Sequence, residues 1–217
     1  MRLLLAGGTG LIGGEVLRLG LKNGHEIMTV GRRPTGMASS EIVSSFDDLP
    51  QLPPADIAIC ALGTTIRQAG TQAAFRAIDE EAVSSFAKAA KAAGVDHFLV
   101  VTAVGASPDA SIFYSRVKGQ TEDQLMMMGF KRLDIIRPGL LLGDRKERRP
   151  IELLLQHIAP ATDLLMRGKW RRYRSVQATD AAHCLLGLAA SNEPGVYIHH
   201  FDDIMKVLQS PLQDVTK

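Results

Sequence analysis

A glycine-rich turn between an apolar run and an amphipathic segment constrains this fold more than any other feature. The apolar run is Leu3–Ala6, and the turn consists of Gly7, Gly8, Thr9, Gly10, Leu11, Ile12 and Gly13. It satisfies both G-x-G-x-x-G and G-x-x-G-x-x-G. Glycine allows a tight turn, a close approach to a pyrophosphate and close packing of the helix on the strand. Because the N–H groups at the helix start suit phosphates, the turn predicts a dinucleotide site. A tight turn without a ligand is the alternative.

Short apolar runs alternate with segments of helical period along most of the chain, which predicts a parallel sheet with crossover helices. The predicted strands are Leu3–Ala6, Glu26–Val30, Ile57–Ala61, Phe98–Thr102, Leu133–Arg137 and Gly195–His199. The predicted helices are Gly10–Lys22, Gln72–Ala93, Ser111–Met128, Ile151–Ile158 and Thr179–Ala190, the last capped by Thr179. Residues 139–175 are irregular, and we interpret them as a small lid or substrate region within a single domain of residues 1–217.

Composition narrows the classes of function. Hydrophobic residues make up 46% and charged residues 22% of the 217 residues, and the net charge of +2 does not favour nucleic-acid binding. Cys60 and Cys184 lie in apolar stretches and are interpreted as free thiols of a reducing compartment. Glycines interrupt the first apolar run, and no stretch has the length of a membrane span. These features predict a cytoplasmic protein, and no ligand set at metal spacing stands out.

The second apolar run ends in Gly31-Arg32-Arg33-Pro34. In a dinucleotide fold this strand end meets the adenosine ribose, where an acid holds the 2′-hydroxyl of NAD and an arginine suits the 2′-phosphate of NADP. No acid stands there, so Arg32 and Arg33 predict NADPH/NADP⁺ as the cofactor. One charge-assisted bond of about 1.5–3 kcal/mol corresponds to a preference of roughly ten- to hundredfold. Two solvated arginines are the alternative.

Tyr114 and Lys118 stand four residues apart on a predicted helix and share one face. A free tyrosine is a poor acid at neutral pH, and a lysine ammonium one turn away favours its phenolate. Such a pair can pass a proton to or from a carbonyl oxygen while a hydride moves at carbon. A surface pair on an ordinary helix is the alternative.

These motifs, in this order, resemble the short-chain dehydrogenase/reductase superfamily. Four phrases are similar to the atypical group that includes the Tat-interacting oxidoreductase family and its small bacterial relatives. They are GRRP at Gly31–Pro34, CALGTTIRQAG at Cys60–Gly70, FYSRVKG at Phe113–Gly119 and RPGLLLGDRKERRP at Arg137–Pro150. The resemblance implies the fold class α/β, a Rossmann-like doubly wound parallel sheet that binds NADPH.

The resemblance also implies individual roles. Leu62, Gly63 and Thr64 would lie along the cofactor, Lys118 would also bond the nicotinamide ribose, and Pro138 and Gly139 would flank the nicotinamide. Arg32 and Arg33 match the NADP-selecting arginines of the family. The family's catalytic serine aligns with Ala103, and the nearest hydroxyl, Thr102, is one residue earlier. Thr102 either orients a substrate carbonyl or is an ordinary β-branched strand residue.

Basic residues concentrate at Arg145–Arg149 and Arg167–Arg174. An anionic substrate, an acidic partner or nucleic acid, and a solvated loop all remain open as explanations, with nucleic acid the least favoured. The leading hypothesis is an NADPH-dependent oxidoreductase acting on a small carbonyl or related substrate, with no nucleic acid or membrane partner and an unspecified protein partner left open. A non-catalytic NADP(H)-binding regulator is the second hypothesis. A nucleotide-sugar epimerase or dehydratase is the third, disfavoured because the chain is short.

Overall fold

The computed structural model describes residues 1–143, 163 and 166–209 of the chain. Seven parallel strands form one sheet in the order β3-β2-β1-β4-β5-β6-β9, and β7 and β8 form a separate parallel pair. The strands are β1 Arg2–Ala6, β2 Glu26–Gly31, β3 Ser40–Val43, β4 Ile57–Cys60, β5 His97–Val101, β6 Arg132–Ile136, β7 Leu141–Leu142, β8 Val176–Gln177 and β9 Gly195–His199. The strand order reverses direction at β1, and a switch of this kind opens a ligand crevice at the carboxyl ends of the strands.

Helices follow the strands and cover the sheet. They are α1 Leu11–Lys22, α2 Ile66–Ala69, α3 Gln72–Arg76, α4 Val83–Ala92, α5 Phe113–Met127, α6 Ala178–Ala189 and α7 Phe201–Leu208. A π-helical turn, Ala77–Ala82, joins α3 to α4, and a 3₁₀ helix spans Gly168–Tyr173. No helix in the described part of the chain has the length and apolar character needed to cross a membrane.

The core has two layers because both faces of the sheet are buried. Side chains alternate along a strand, so Leu3 and Leu5 pack against α1 and α6 on one face, where Val16 and Leu185 belong to the same cluster. Leu4 faces the opposite layer with Phe86 of α4. Continuous apolar strands are what a sheet covered on both faces requires, and the Rossmann-like α/β prediction is confirmed.

All predicted strands are present, with ends displaced by at most one residue. The sequence analysis missed β3, β7, β8, α2, the 3₁₀ helix and α7, which are short or carry no strong periodicity. The predicted cap at Thr179 is wrong, because α6 begins at Ala178 with Gln177 as N-cap and Thr179 lies inside the first turn. The predicted helix Ile151–Ile158 lies outside the described residues. Cys60 and Cys184 are buried free thiols.

Candidate cofactor and proton-transfer site

The glycine turn lies between β1 and α1 and packs directly against the chain that leaves β4. Gly7 has φ +87°, and a Cβ there would lie 2.6 Å from the carbonyl oxygen of Ala61. A Cβ on Gly13 would lie 2.1 Å from the carbonyl oxygen of Gly7. Neither position has room for a side chain, so both glycines are required by the close approach of neighbouring backbone. The turn therefore has the geometry that a dinucleotide-binding turn requires.

A pocket opens between this turn and the end of β2. Its lining includes Gly7, Gly8, Thr9, Arg32, Arg33, Phe46 and Leu62. Arg32 and Arg33 are exposed at its edge. In this fold the adenosine ribose of a dinucleotide lies at this position, so Arg32 and Arg33 are the cations that would face it.

The loop after the arginines is fixed by Glu41, a residue that sequence reasoning missed. One carboxylate oxygen of Glu41 accepts hydrogen bonds from the Thr35 and Gly36 N–H groups, both at 2.8 Å, and from the Thr35 hydroxyl. The Thr35 hydroxyl is the main cause that lowers the pKa of Glu41 below its ordinary value, and the backbone donors add to it. A Cβ on Gly8 would lie 3.1 Å from the Thr35 methyl group. The loop therefore rests on the glycine turn.

Tyr114 and Lys118 lie on one face of α5, and Lys118 is buried against a carboxylate. Its ammonium nitrogen is 2.7 Å from Oδ1 of Asp79, which is fully buried. Burial by itself lowers the pKa of Lys118, but the Asp79 carboxylate and then Tyr114 outweigh it, and the pKa lies above its ordinary value. Lys118 is therefore a charged ammonium within the protein interior.

The loop after β4 lies on this ion pair. The Thr64 N–H donates to the other carboxylate oxygen of Asp79 at 2.8 Å. A Cβ on Gly63 would lie 3.5 Å from Oδ1 of Asp79 and 3.6 Å from Nζ of Lys118. The structure thus brings Leu62–Thr64 and Lys118 together. Asp79 joins them, and no motif in the sequence had pointed to it.

Thr102 is not free to turn toward the crevice. It is buried, and its hydroxyl donates to Oε1 of Glu122 one turn beyond Lys118 on α5. Arg137 donates to both oxygens of the same carboxylate, with its Nε at 3.0 Å from Oε1. A catalytic role for Thr102 stays a prediction, and the observed bonds favour its alternative role as a buried strand residue.

Pro138 and Gly139 follow β6 at the carboxyl edge of the sheet. The Val104 N–H donates to the Pro138 carbonyl at 2.9 Å, joining this loop to the chain beyond β5. A Cβ on Gly139 would lie 2.3 Å from the Arg174 carbonyl oxygen. The end of the 3₁₀ helix therefore packs on the loop that was predicted to flank a nicotinamide.

The basic segment is described only in its second half, because Arg145–Arg149 lie outside the described residues. Arg171 forms an ion pair with Asp202 at the start of α7, both of them exposed. Arg172 stacks on Tyr173, and Arg174 donates to the Met166 carbonyl at 3.1 Å. These arginines are thus engaged at the surface. Among the described residues, no group of three His, Cys, Asp or Glu side chains could hold a metal ion.

Comparisons with known proteins place the chain in a family. Protein fmp52, mitochondrial, from Aspergillus niger is 35% identical over 224 residues, covering 93% of this chain and 96% of that protein. The chain belongs to the FMP52/HTATIP2 family of atypical short-chain dehydrogenases/reductases. Protein HTATIP2 from Rattus norvegicus is 37% identical over 135 residues, which cover 60% of this chain and 55% of that protein. The predicted resemblance is confirmed. No protein-family model matches the chain.

Solved structures agree on the fold of this FMP52/HTATIP2 family member. Human epimerase family protein SDR39U1 with NADPH superposes with a TM-score of 0.68 at 23% identity, covering 92% of this chain and 74% of that chain. MoeE5 in complex with UDP-glucose and NAD gives a TM-score of 0.70 at 16% identity, covering 95% and 80%. At identities this low, the superpositions show the shared NAD(P)-binding fold alone.

The prediction of a cytoplasmic location is wrong. FMP52 relatives from Meyerozyma guilliermondii, Coccidioides immitis, Aspergillus niger and Candida albicans are all named mitochondrial proteins. The prediction had rested on free cysteines and on an interrupted apolar run. Neither feature separates the cytoplasm from other compartments that keep thiols reduced.

Proposed function

We propose that this protein is an NADPH-dependent oxidoreductase that reduces a small carbonyl or related substrate. One observation carries the proposal: Lys118, one turn from Tyr114 on α5, lies 3.6 Å from where a Gly63 side chain would begin, on the loop that follows β4. A proton-transferring pair is thereby joined to the crevice in which this fold binds dinucleotides. An ordinary surface helix pair would be solvated, whereas Lys118 is buried.

Each residue of the site has a separate proposed role in carbonyl reduction. A bound NADPH would supply the hydride that the carbonyl carbon accepts, leaving NADP⁺. Tyr114 donates its phenolic proton to the carbonyl oxygen, which becomes the hydroxyl of the product alcohol, and solvent returns a proton to the phenolate. Lys118 would stabilise that transient phenolate and would hold the nicotinamide ribose. Arg32 and Arg33 would hold the 2′-phosphate and would favour NADPH over NADH.

Turnover tests the chemistry. Tyr114→Phe should lower carbonyl-dependent oxidation of NADPH by at least about a hundredfold, the range for loss of a positioned acid, with NADPH affinity nearly unchanged. Tyr197→Phe is the matched control, because the Tyr197 hydroxyl donates to the Pro194 carbonyl beside β9, outside the crevice. Retention of activity in Tyr114→Phe would exclude this mechanism.

Calorimetry tests the cofactor preference separately. NADPH and NADP⁺ should bind the wild-type protein more tightly than NADH and NAD⁺. Arg32→Ala should lower the ratio of the NADH to the NADPH dissociation constant by about tenfold or more. Arg18→Ala is the control, because Arg18 lies on α1 in an ion pair with Glu15. An unchanged ratio in Arg32→Ala would remove Arg32 from this role.

A non-catalytic NADP(H)-binding regulator is the second candidate. The occupied Thr102 hydroxyl and the methyl side chain of Ala103 favour it, because they offer a substrate carbonyl no hydroxyl at the usual serine position. It predicts tight NADPH binding in calorimetry together with no carbonyl-dependent oxidation in wild type. The regulator hypothesis fails if any tested carbonyl compound is reduced at a rate that depends on Tyr114.

A further inference from the structure

We propose that Glu41 is a positioning residue for cofactor selection: it anchors the loop after β2 in the shape that presents Arg32 and Arg33 to the 2′-phosphate that distinguishes NADPH from NADH. The inference rests on the proposed function, in which those arginines hold the phosphate. It adds a residue that acts through the loop, so that the selectivity of the site depends on an anchor as well as on two positive charges.

The connection between β2 and β3 is unusually short for parallel strands. Thr29 lies opposite Glu41 in the pairing of the two strands, so the chain must run back along the sheet between them. Such a connection usually takes a dozen or more residues and a helix. Residues 32–39, all within the described part of the chain, form no helix. Their backbone N–H groups therefore need acceptors other than helix carbonyls.

Glu41 and Thr35 supply those acceptors. Oε1 of Glu41 accepts the N–H groups of Thr35 and Gly36, both at 2.8 Å, and the Thr35 hydroxyl donates to the same oxygen. The Thr35 hydroxyl oxygen in turn accepts the N–H groups of Met37 and Ala38 at 3.3 and 3.4 Å. The four consecutive N–H groups from Thr35 to Ala38 thus depend, directly or through one hydroxyl, on a single carboxylate oxygen.

The anchored loop connects the arginines to the glycine turn. Thr35 lines the same pocket as Arg32 and Arg33. A Cβ on Gly8 would lie 3.1 Å from the Thr35 methyl group. Between Arg33 and Thr35 stands Pro34, whose ring fixes one backbone dihedral. The position of Thr35 therefore sets where the backbone of the arginines lies relative to the turn that would hold the pyrophosphate.

The Glu41 carboxylate anchors the loop without neutralising the arginines. Arg32 and Arg33 are exposed, and neither forms an ion pair in the part of the chain that the structure describes. The Thr35 hydroxyl is the main cause that lowers the pKa of Glu41, and backbone N–H groups of the loop add to it. The negative charge is thus bound by the loop, and both guanidinium groups are left for a phosphate. Cations held in place bind an anion without the cost of ordering a mobile loop.

Two interpretations of Glu41 predict effects of opposite sign. If Glu41 acted only as a negative charge near the arginines, it would weaken the binding of a phosphate, and its removal would raise the preference for NADPH. As an anchor, Glu41 favours NADPH, and its removal lowers that preference. The sign of the change therefore separates anchoring from electrostatic repulsion.

Calorimetry on Glu41→Ala tests the inference through the ratio of the NADH to the NADPH dissociation constant, because the two cofactors differ only in the 2′-phosphate. We expect Glu41→Ala to lower this ratio about five- to tenfold, the cost of ordering one or two side chains on binding. Glu26→Ala is the matched control, because it removes the same charge from the exposed start of β2 and should leave the ratio unchanged. An unchanged or raised ratio in Glu41→Ala would overturn the inference.

Thr35→Val keeps the test decisive if Glu41→Ala does not fold. Valine keeps the methyl contact with the glycine turn but removes the hydroxyl that links the loop to Glu41. The ratio should fall about threefold or more. In the double variant Glu41→Ala/Thr35→Val it should fall no further than in Glu41→Ala, because both residues act on one loop. An unchanged ratio in Thr35→Val, or additive effects in the double variant, would overturn the inference.

Tryptic cleavage without cofactor measures the loop itself. The peptide bond between Arg32 and Arg33 is a trypsin site, and its cleavage should be about fivefold faster or more in Glu41→Ala than in wild type, since cleavage follows the population of the open loop. Cleavage at the wild-type rate would overturn the inference. If wild type binds NADPH and NADH equally, the proposed cofactor preference fails and the inference fails with it. If wild type prefers NADPH and Glu41→Ala keeps that preference, the inference alone fails.

Discussion

Two fully buried carboxylates, Asp79 and Asp134, show how differently one protein can use the same group. Asp134 lies within β6 and is surrounded by side-chain donors. Nε of Arg132 is 2.6 Å from it, and Nε2 of His97 and Nε2 of His199 are each 2.7 Å from it. Asp79 has one ammonium and one peptide N–H. Both oxygens of Asp134 have several donors, whereas the charged partner of Asp79 is Lys118, one turn from Tyr114 on α5.

The partners of Asp134 have no further chemical role that the structure indicates. His97, Arg132 and His199 come from three adjacent strands, so the carboxylate ties β5, β6 and β9 together. Arg132 also donates to the Glu193 carbonyl at 2.9 Å and stacks on Tyr197. Burial raises the pKa of Asp134, but the bonds from His199, His97 and Arg132 outweigh it and hold the pKa well below its ordinary range. The cluster is a structural one.

Asp134→Asn should have the largest effect on stability. It leaves the buried Arg132 guanidinium without its carboxylate, and breaking a buried ion pair in this way costs about 3–5 kcal/mol. Urea unfolding measures the loss, and NADPH calorimetry on the folded fraction should show unchanged affinity. A loss below about 1 kcal/mol would contradict the structural role.

The pH dependence of the free energy of unfolding tests the same role of Asp134. Because the pKa of Asp134 is lower in the folded than in the unfolded chain, its contribution is present above the unfolded value of about 3.9. That contribution is lost as the pH falls from about 5 toward the folded value. The free energy of unfolding should therefore fall less steeply with acidification in Asp134→Asn than in wild type. If the free energy of unfolding falls equally steeply in both proteins, Asp134 does not stabilise the fold through its lowered pKa.

The Asp79–Lys118 pair should behave differently when both partners are changed. Lys118→Met alone leaves a buried carboxylate unpaired and should cost about 3 kcal/mol. Asp79→Asn/Lys118→Met should recover to within about 1 kcal/mol of wild type, because replacing a whole buried pair is often neutral. Carbonyl-dependent oxidation of NADPH should be lost in both variants. If urea unfolding shows no recovery in the double variant, the pair is structural and the contrast with Asp134 disappears.

The sequence allowed the fold and part of the candidate site to be predicted because those signals are local. The glycine turn, the apolar strands and the spacing of Tyr114 and Lys118 can each be recognised within a few residues. Asp79 was missed because it lies between the apolar positions of a helical stripe, where a charge normally faces solvent, and the π-helical turn that directs it inward has no comparable signal. A partial signal existed for Asp134, since a charge within a buried strand requires a partner. Its partners His97 and His199, however, are distant in sequence.

Thr102→Val should have the smallest effect and tests a third buried carboxylate, Glu122. Glu122 accepts from Thr102 and also forms an ion pair with Arg137, so the substitution removes one bond to a charge that stays paired. We expect a stability loss of about 1–2 kcal/mol and nearly unchanged turnover, with both values restored by Thr102→Ser. If turnover instead falls a hundredfold while stability is unchanged, Thr102 orients the substrate carbonyl. Glu122 would then resemble Asp79, a buried carboxylate that contacts a residue of the proposed proton-transfer pair, more than it resembles Asp134.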